Sequence, residues 1–286
     1  MSTIQCDSTN SNNSDNITRK SSQKTRDLSV QDIEKLEKQN SRLVSSFQAC
    51  KLEENAQKYW DQFYKRNGTN FFKDRHWTTR EFKELLGDIP NKNNETIRML
   101  EIGCGVGNLL FPLIEEGSEM EFYACDFSPR AIEFVQNHEL YKNNRIYAFQ
   151  SDLTKDDLFE HLKKEMDLVT LVFVLSAIHP DKFSECLKNI HQVLKPGGIV
   201  LFRDYGINDM TQIRFKPGHK IFDNFYMRQD GTRSYFFQLD ELKELFLSNG
   251  FKEVIVSYIE TRTVNKKEGI DVPRVFVQGK FMKKCS

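Results

Sequence analysis

Five short apolar runs, at residues 97–102, 122–125, 146–150, 168–175 and 199–203, are separated by stretches of helical periodicity at 108–116, 129–137, 155–164 and 181–194. No other feature constrains the fold as much. Strands that alternate with helices predict a parallel sheet with helices packed on both faces. Pro129 suits the first turn of its helix, and Lys195-Pro196-Gly197-Gly198 stops the helix before it. A helix at 240–249 and strands at 251–260 and 272–280 complete the pattern. The expected class is α/β.

The first strand runs into Glu101-Ile102-Gly103-Cys104-Gly105-Val106-Gly107 and then into a helix. Glycines at such a turn let a ligand approach the backbone, and the helix start favours negative charge. A dinucleotide site needs its third glycine one residue later, to seat a pyrophosphate, so the spacing argues against NAD or FAD. Asp126 ends the second strand, 23 positions after Gly103, where a carboxylate can bind ribose hydroxyls. Asp152 follows the third strand, placed to accept from an adenine amino group, with Leu153 beside the ring. A sulfonium nucleoside fits this set, and Glu101 suits its positive centre. Taken alone, each aspartate also reads as a helix N-cap.

Basic and acidic residues both number 41, but the resulting zero charge is unevenly spread: residues 81–202 carry −8, whereas 51–80 carry +3 and 203–286 carry +4. An acidic centre between basic flanks leaves a polyanionic partner open. Residues 1–30 contain 15 Ser, Thr or Asn and no aromatic precedes Phe47, which predicts a disordered polar tail. From 30 to about 63 the pattern is helical. Ala56, Tyr59, Trp60, Phe63 and Tyr64 recur at three- and four-residue spacing, a stripe that serves either a core or a lid. The six cysteines form no CxxC pair and no zinc spacing, so no metal is expected. No apolar run reaches the length of a membrane span, and no leader-like apolar region follows Met1. The reading is a cytoplasmic protein, or one that is also nuclear.

The ordered set of glycine turn, Asp126, Asp152 and Lys195-Pro196-Gly197-Gly198 resembles the class I S-adenosylmethionine-dependent methyltransferases, with their Rossmann-like fold, over residues 97–280. The resemblance implies a seven-strand, mostly parallel sheet with one antiparallel strand from the last hairpin. Longer words flank this core. They are Trp60-Asp61-Gln62-Phe63-Tyr64, Asp74-Arg75-His76-Trp77-Thr78-Thr79-Arg80-Glu81-Phe82, Phe173-Val174-Leu175-Ser176-Ala177-Ile178-His179-Pro180, Arg203-Asp204-Tyr205-Gly206, Asn224-Phe225-Tyr226-Met227-Arg228 and Thr263-Val264-Asn265-Lys266-Lys267. From about residue 51 to 283 the chain resembles the family that forms 3-methylcytidine in transfer RNA. The word at 74–82 and the short length are most similar to one branch of it. That branch implies cytidine 32 in the anticodon arm of serine tRNAs as target and seryl-tRNA synthetase as a helper. The expected domains are a polar tail at 1–30, a helical extension at 31–90 serving as lid and RNA contact, a cofactor-binding core at 91–203, and a part at 204–286 that completes the sheet and inserts an RNA-recognition element.

By resemblance, S-adenosylmethionine contacts Trp60, Tyr64, Gly103, Asp126, Asp152, Leu153 and Val172. Trp60 and Tyr64 share a helix face and can close over a sulfonium by cation–π attraction. Cytosine N3 carries a lone pair and no proton, so catalysis reduces to orientation. The base must leave its stack to be reached. Aromatic and basic candidates for holding it and its backbone are Phe71, Arg75, His76, Trp77, Arg203, Tyr205, Tyr226, Arg228, Arg233, Lys266 and Lys267. Asp204, at the end of the fifth strand, is the candidate catalytic acceptor for the base amino group; its alternative role is a salt bridge to Arg203 or Arg233. Alternatives for the whole chain are the same chemistry on threonine or arginine tRNAs, a small-molecule or protein methyltransferase, or a non-catalytic RNA-binding module.

Overall fold

The computed structural model describes residues 19–89, 95–142, 145–265 and 269–285. A short strand β1 (Lys20–Ser22) is followed by helices α1 (Val30–Gln39), α2 (Ser46–Glu54), α3 (Ala56–Asn67) and α4 (Trp77–Glu81). The core then runs β2 (Arg98–Ile102), α5 (Leu110–Glu115), β3 (Glu121–Asp126), α6 (Pro129–Asn137), β4 (Ile146–Gln150), α7 (Leu158–Leu162), β5 (Met166–Val172), α8 (Phe183–Val193) and β6 (Leu194–Tyr205). An insertion follows: α9 (Met210–Ile213) and a small antiparallel sheet of β7 (Lys220–Phe222), β8 (Phe225–Met227) and β9 (Arg233–Tyr235). Helix α10 (Leu239–Ser248) and the hairpin of β10 (Phe251–Asn265) and β11 (Ile270–Lys283) close the chain.

The large sheet has the order β1-β10-β11-β6-β5-β2-β3-β4. Strands β6, β5, β2, β3 and β4 pair in parallel, and β11 runs antiparallel between β6 and β10. Seven strands are therefore those the sequence implies. Alternate residues of the parallel strands feed two cores. Leu100, Ile102, Val169, Leu171, Val200 and Phe202 pack on the face covered by α8 and α10, and Met99, Leu168, Ile199 and Leu201 on the face covered by α5 and α6. Burial on both faces is why β5 reads as a continuous apolar run rather than an alternating one. Helix α6 starts where expected because the Ser128 hydroxyl accepts from the Ala131 amide at 3.3 Å and Pro129 occupies the first turn.

One expectation changes and another is refined. The polar tail is ordered from Arg19 on: β1 adds an eighth strand to the sheet, Ser21 Oγ donates to Ser257 Oγ at 2.9 Å, and Gln23 Nε2 donates to the Val256 carbonyl at 2.8 Å. Strand pairing and polar side-chain bonds hold this segment, which a composition argument based on apolar burial does not weigh. Residues 1–18 lie outside the described part. The helical stretch at 30–63 is three helices, because Ser29 and Ser45 each cap a new start through their hydroxyls and Asn55 separates α2 from α3.

The N-terminal helices dock on the insertion. Gln39 Nε2 donates to the Gln212 carbonyl at 2.9 Å and the Phe215 carbonyl at 3.1 Å, and the Tyr226 hydroxyl donates to Gln39 Oε1 at 2.9 Å. Both parts reach the carboxyl ends of the parallel strands, the place where ligands bind in such sheets. No helix among the described residues is long and apolar enough to cross a membrane.

Candidate active site

A cavity of about 190 Å³ opens at those strand ends. Ile102 and Gly103 line it from β2 and its turn, Cys125 and Asp126 from β3, Asp152 and Leu153 after β4, Phe173 and Val174 after β5, and Trp60 and Tyr64 from α3. Six of the seven cofactor residues named from the sequence thus face one space. The seventh, Val172, is buried behind it, and its carbonyl accepts from Arg75 Nη1 at 2.9 Å.

The glycine turn is shaped by what presses on it. Gly105 has φ +55°, and a Cβ there would lie 2.9 Å from the Tyr64 hydroxyl oxygen. Asp126 clamps the turn, since its carboxylate accepts from the Gly105 amide at 3.0 Å and the Ser128 amide at 2.9 Å. Burial pushes Asp126 up to about 6 despite these bonds. Glu101 lies buried near the turn; desolvation raises it to about 8 against the opposing charge of Arg75, and Oε2 has no hydrogen-bond partner among the described residues. Asp152 does cap its own turn, accepting from the Thr154 amide at 3.0 Å and hydroxyl at 2.8 Å, while it also faces the cavity.

Helix α3 closes the cavity from above. Trp60 and Tyr64 lie with ring centroids 6.1 Å apart and planes 33° apart. Asp61 accepts from Ser128 Oγ at 3.1 Å and pairs with Arg130 at 3.4 Å, which fastens α3 to the start of α6. On the other side Glu53, at the end of α2, pairs with both Lys182 and Arg233.

A second, smaller space of about 40 Å³ adjoins the first. Trp60, Tyr64, Gly103, Phe173, Ala177 and Arg233 belong to both walls, and Arg75, Ser176, Tyr205 and Arg228 line only the second of these two. Phe173 sits at the boundary with φ +60°, a left-handed conformation that costs a phenylalanine about 1 kcal/mol or more. Its ring lies 5.0 Å from Tyr205, the Arg75 guanidinium lies 5.4 Å from that ring, and the Arg228 guanidinium lies 5.4 Å from Tyr205.

Several RNA candidates from the sequence stand elsewhere. Arg203 is 6% exposed and held between Trp77 at 4.5 Å and Phe276 at 4.7 Å, with Nη1 donating to Gln278 Oε1 at 2.7 Å and the Glu81 carboxylate 4.0 Å away as a long ion pair. Burial lowers it to about 9, the Glu81 charge opposing. Arg203 and Trp77 therefore form an interior brace between α4 and the sheet. Tyr226 is buried and stacks on Phe215. His76 is at the surface with Glu116 at 3.0 Å. Arg233 is buried against Glu53 yet reaches both cavities. Phe71 packs on Phe63 at 4.7 Å and lines an outer groove. Lys266 and Lys267 lie outside the described residues. Asp204 makes no ion pair with Arg203 or Arg233. It is fully buried, raised to about 6 by desolvation, and accepts from the Ser176 and Tyr205 amides at 2.9 Å each.

A family described as "Methyltransferase domain" matches residues 71–256. The human protein named tRNA N(3)-cytidine methyltransferase METTL6 is 58% identical over 257 residues, covering 90% of this chain and 90% of its own. The chain belongs to the tRNA N3-cytidine methyltransferase family. A more distant relative, the Saccharomyces cerevisiae tRNA(Thr) (cytosine(32)-N(3))-methyltransferase, is 39% identical over 253 residues, 87% of this chain and 40% of its own. The glycopeptide N-methyltransferase MtfA complexed with S-adenosylmethionine is 14% identical, with a TM-score of 0.50 over 75% of this chain and 89% of its own, a likeness of fold alone.

The family's cofactor is S-adenosylmethionine, and the first cavity suits it. Asp126 and Asp152 line it on the acidic side, an aromatic pair closes the top, and a buried carboxyl with one oxygen unpartnered among the described residues lies near the turn. Two residues escape the sequence reading. Phe173 carries no signal of its left-handed backbone, because phenylalanine seldom adopts it. Glu53 reads as one more charge on an amphipathic helix, and only the tertiary structure sets it against Lys182 and Arg233.

Proposed function

We propose that this chain transfers a methyl group from S-adenosylmethionine to N3 of cytidine 32 in the anticodon loop of serine tRNAs, assisted by seryl-tRNA synthetase. The observation that carries this reading is the wall common to the two cavities. Trp60, Tyr64 and Phe173 separate a nucleoside-sized space bearing acidic side chains from a slot bearing Tyr205, Arg75 and Arg228.

When bound, S-adenosylmethionine supplies an electrophilic methyl group on a cationic sulfur. Asp126 and Asp152 hold its ribose and adenine, and Trp60 and Tyr64 exclude water from above. The flipped cytosine lies in the second space against Phe173 and Tyr205. Arg75 and Arg228 offer donors for the base carbonyl. N3 presents its own lone pair, so no side chain has to remove a proton, and orientation supplies the rate. Asp204 acts beneath this slot, where its negative charge faces the positive charge that develops on the base and its two backbone bonds hold Ser176 and Tyr205 in the wall.

The yeast relative supports position 32, but its name specifies a threonine tRNA, so threonine tRNA is the second reading. Methyl transfer to purified serine, threonine and arginine tRNAs, with and without each synthetase, decides between them. Reverse-transcriptase arrest at position 32 of serine tRNA is expected. Arrest on threonine tRNA alone would move the substrate to the second reading, and no product on any tRNA would defeat both.

A further inference from the structure

A third space, about 480 Å³, lies outside the methyl-transfer site between the end of α3 and the small sheet of the insertion. It meets the base slot at one residue, Arg228, which lines both. Its wall brings together cations from the two basic flanks of the sequence, Arg66 from one and Arg214, Lys216 and Arg228 from the other. Aromatic rings floor it: Phe71 and Phe215 are half-buried, and Phe63 and Phe236 lie deeper.

The cations here differ from the basic residues of the interior. Arg203, Arg233 and Arg274 each pair with a buried or half-buried carboxylate. No ion pair joins Arg66, Arg214 or Lys216 to another described residue, and all three are exposed. The one acidic residue in the wall, Asp230, has an oxygen engaged by its own turn, accepting from the Thr232 amide at 2.9 Å and hydroxyl at 2.6 Å. Four cations against this single carboxylate leave the concave surface net positive, and such a surface attracts a polyanion.

We propose that this groove binds the RNA strand next to the target cytidine, with Arg66, Arg214 and Lys216 on its phosphates and Phe71 or Phe215 stacked on a neighbouring base. The inference rests on tRNA being the substrate. Arg228 is the joint between groove and slot, so the strand that enters along the groove delivers its flipped base at the slot. Sequence-tolerant stacking combined with phosphate contacts is the usual way a protein holds single-stranded nucleic acid.

The test uses the full chain, a transcribed serine tRNA and the triple variant Arg66→Ala/Arg214→Ala/Lys216→Ala. Binding is measured by fluorescence polarisation across a salt series, and S-adenosylhomocysteine affinity is measured by calorimetry as a check on the folded core. Each lost phosphate contact lowers the slope of log K against log salt by about 0.7–0.9. The variant is expected to lose about two units of slope and at least tenfold in tRNA affinity while its S-adenosylhomocysteine affinity matches the parent. An unchanged slope and affinity in the variant would overturn the groove assignment and leave these cations to an anionic protein surface. Failure of the parent protein to bind the tRNA both alone and with seryl-tRNA synthetase added would sink the substrate reading, and the groove assignment with it.

Discussion

The hydroxyl of Tyr64 rests on the backbone of Gly105, at a place where a single added carbon would lie 2.9 Å from it. This contact joins the lid helix to the glycine turn, so the top and the floor of the cofactor cavity are set against each other. A Gly105→Ala variant meets both the left-handed strain, about 1–2 kcal/mol, and the phenol. Affinity for S-adenosylhomocysteine should fall about tenfold or more by calorimetry. Parent-like affinity would show that the lid is not seated on the turn.

Glu53 fastens the same lid from the other side through Lys182 and Arg233. Glu53→Gln keeps the shape and removes the charge. Cofactor dissociation measured by stopped flow should quicken several-fold, and the thermal midpoint should fall as well, because the buried Arg233 loses its carboxylate partner. Unaltered dissociation would mean that Asp61 and the aromatic packing hold the lid alone.

Three buried carboxyls are raised: Glu101 to about 8, and Asp126 and Asp204 to about 6. A raised acid is protonated in the folded chain while its unfolded counterpart ionises, so each one costs stability that grows as pH climbs from about 4 to its folded value. The cofactor-free protein should therefore gain stability from these groups between pH 8 and pH 5. Binding of a cationic ligand favours the ionised forms, so affinity for S-adenosylmethionine should rise from pH 6 to pH 8 with release of protons. Calorimetry in buffers of different ionisation enthalpy measures that release.

Asp204 bonds two main-chain amides rather than a cation. Asp204→Ala leaves both amides buried without a partner, at about 1–3 kcal/mol each. Chemical denaturation should show that loss together with lost turnover. A variant that loses turnover at full stability would give Asp204 a direct contact with the base instead.

Arg203 braces the interior between Trp77 and Phe276. Arg203→Leu removes the bond to Gln278 and the stacking between two rings, while Glu81 keeps Arg19, so the loss is about 1–3 kcal/mol. The folded fraction should bind tRNA with the parent's salt slope. A lower slope would return Arg203 to the RNA surface.

The sequence by itself determined the core of this protein. Apolar runs, glycine turn and proline positions are local properties, and they specify strand, helix and ligand end of the sheet because a parallel sheet buried on both faces needs those runs. The positions of Gly103, Asp126 and Asp152 follow, since each sits at a strand end that periodicity locates. What periodicity cannot give is direction and neighbourhood for residues outside regular elements. Arginines look alike along a chain, yet Arg203 went inward because Trp77 and Phe276 offer two ring faces and Glu81 a charge, while Arg66, Arg214 and Lys216 stayed at an open groove. The polar segment at 20–22 became a strand because β10 had an unpaired edge to offer it. Phe173 has a left-handed backbone at the turn after β5, where it lines both cavities. Those outcomes depend on contacts between residues far apart in sequence, and only the tertiary structure decides them.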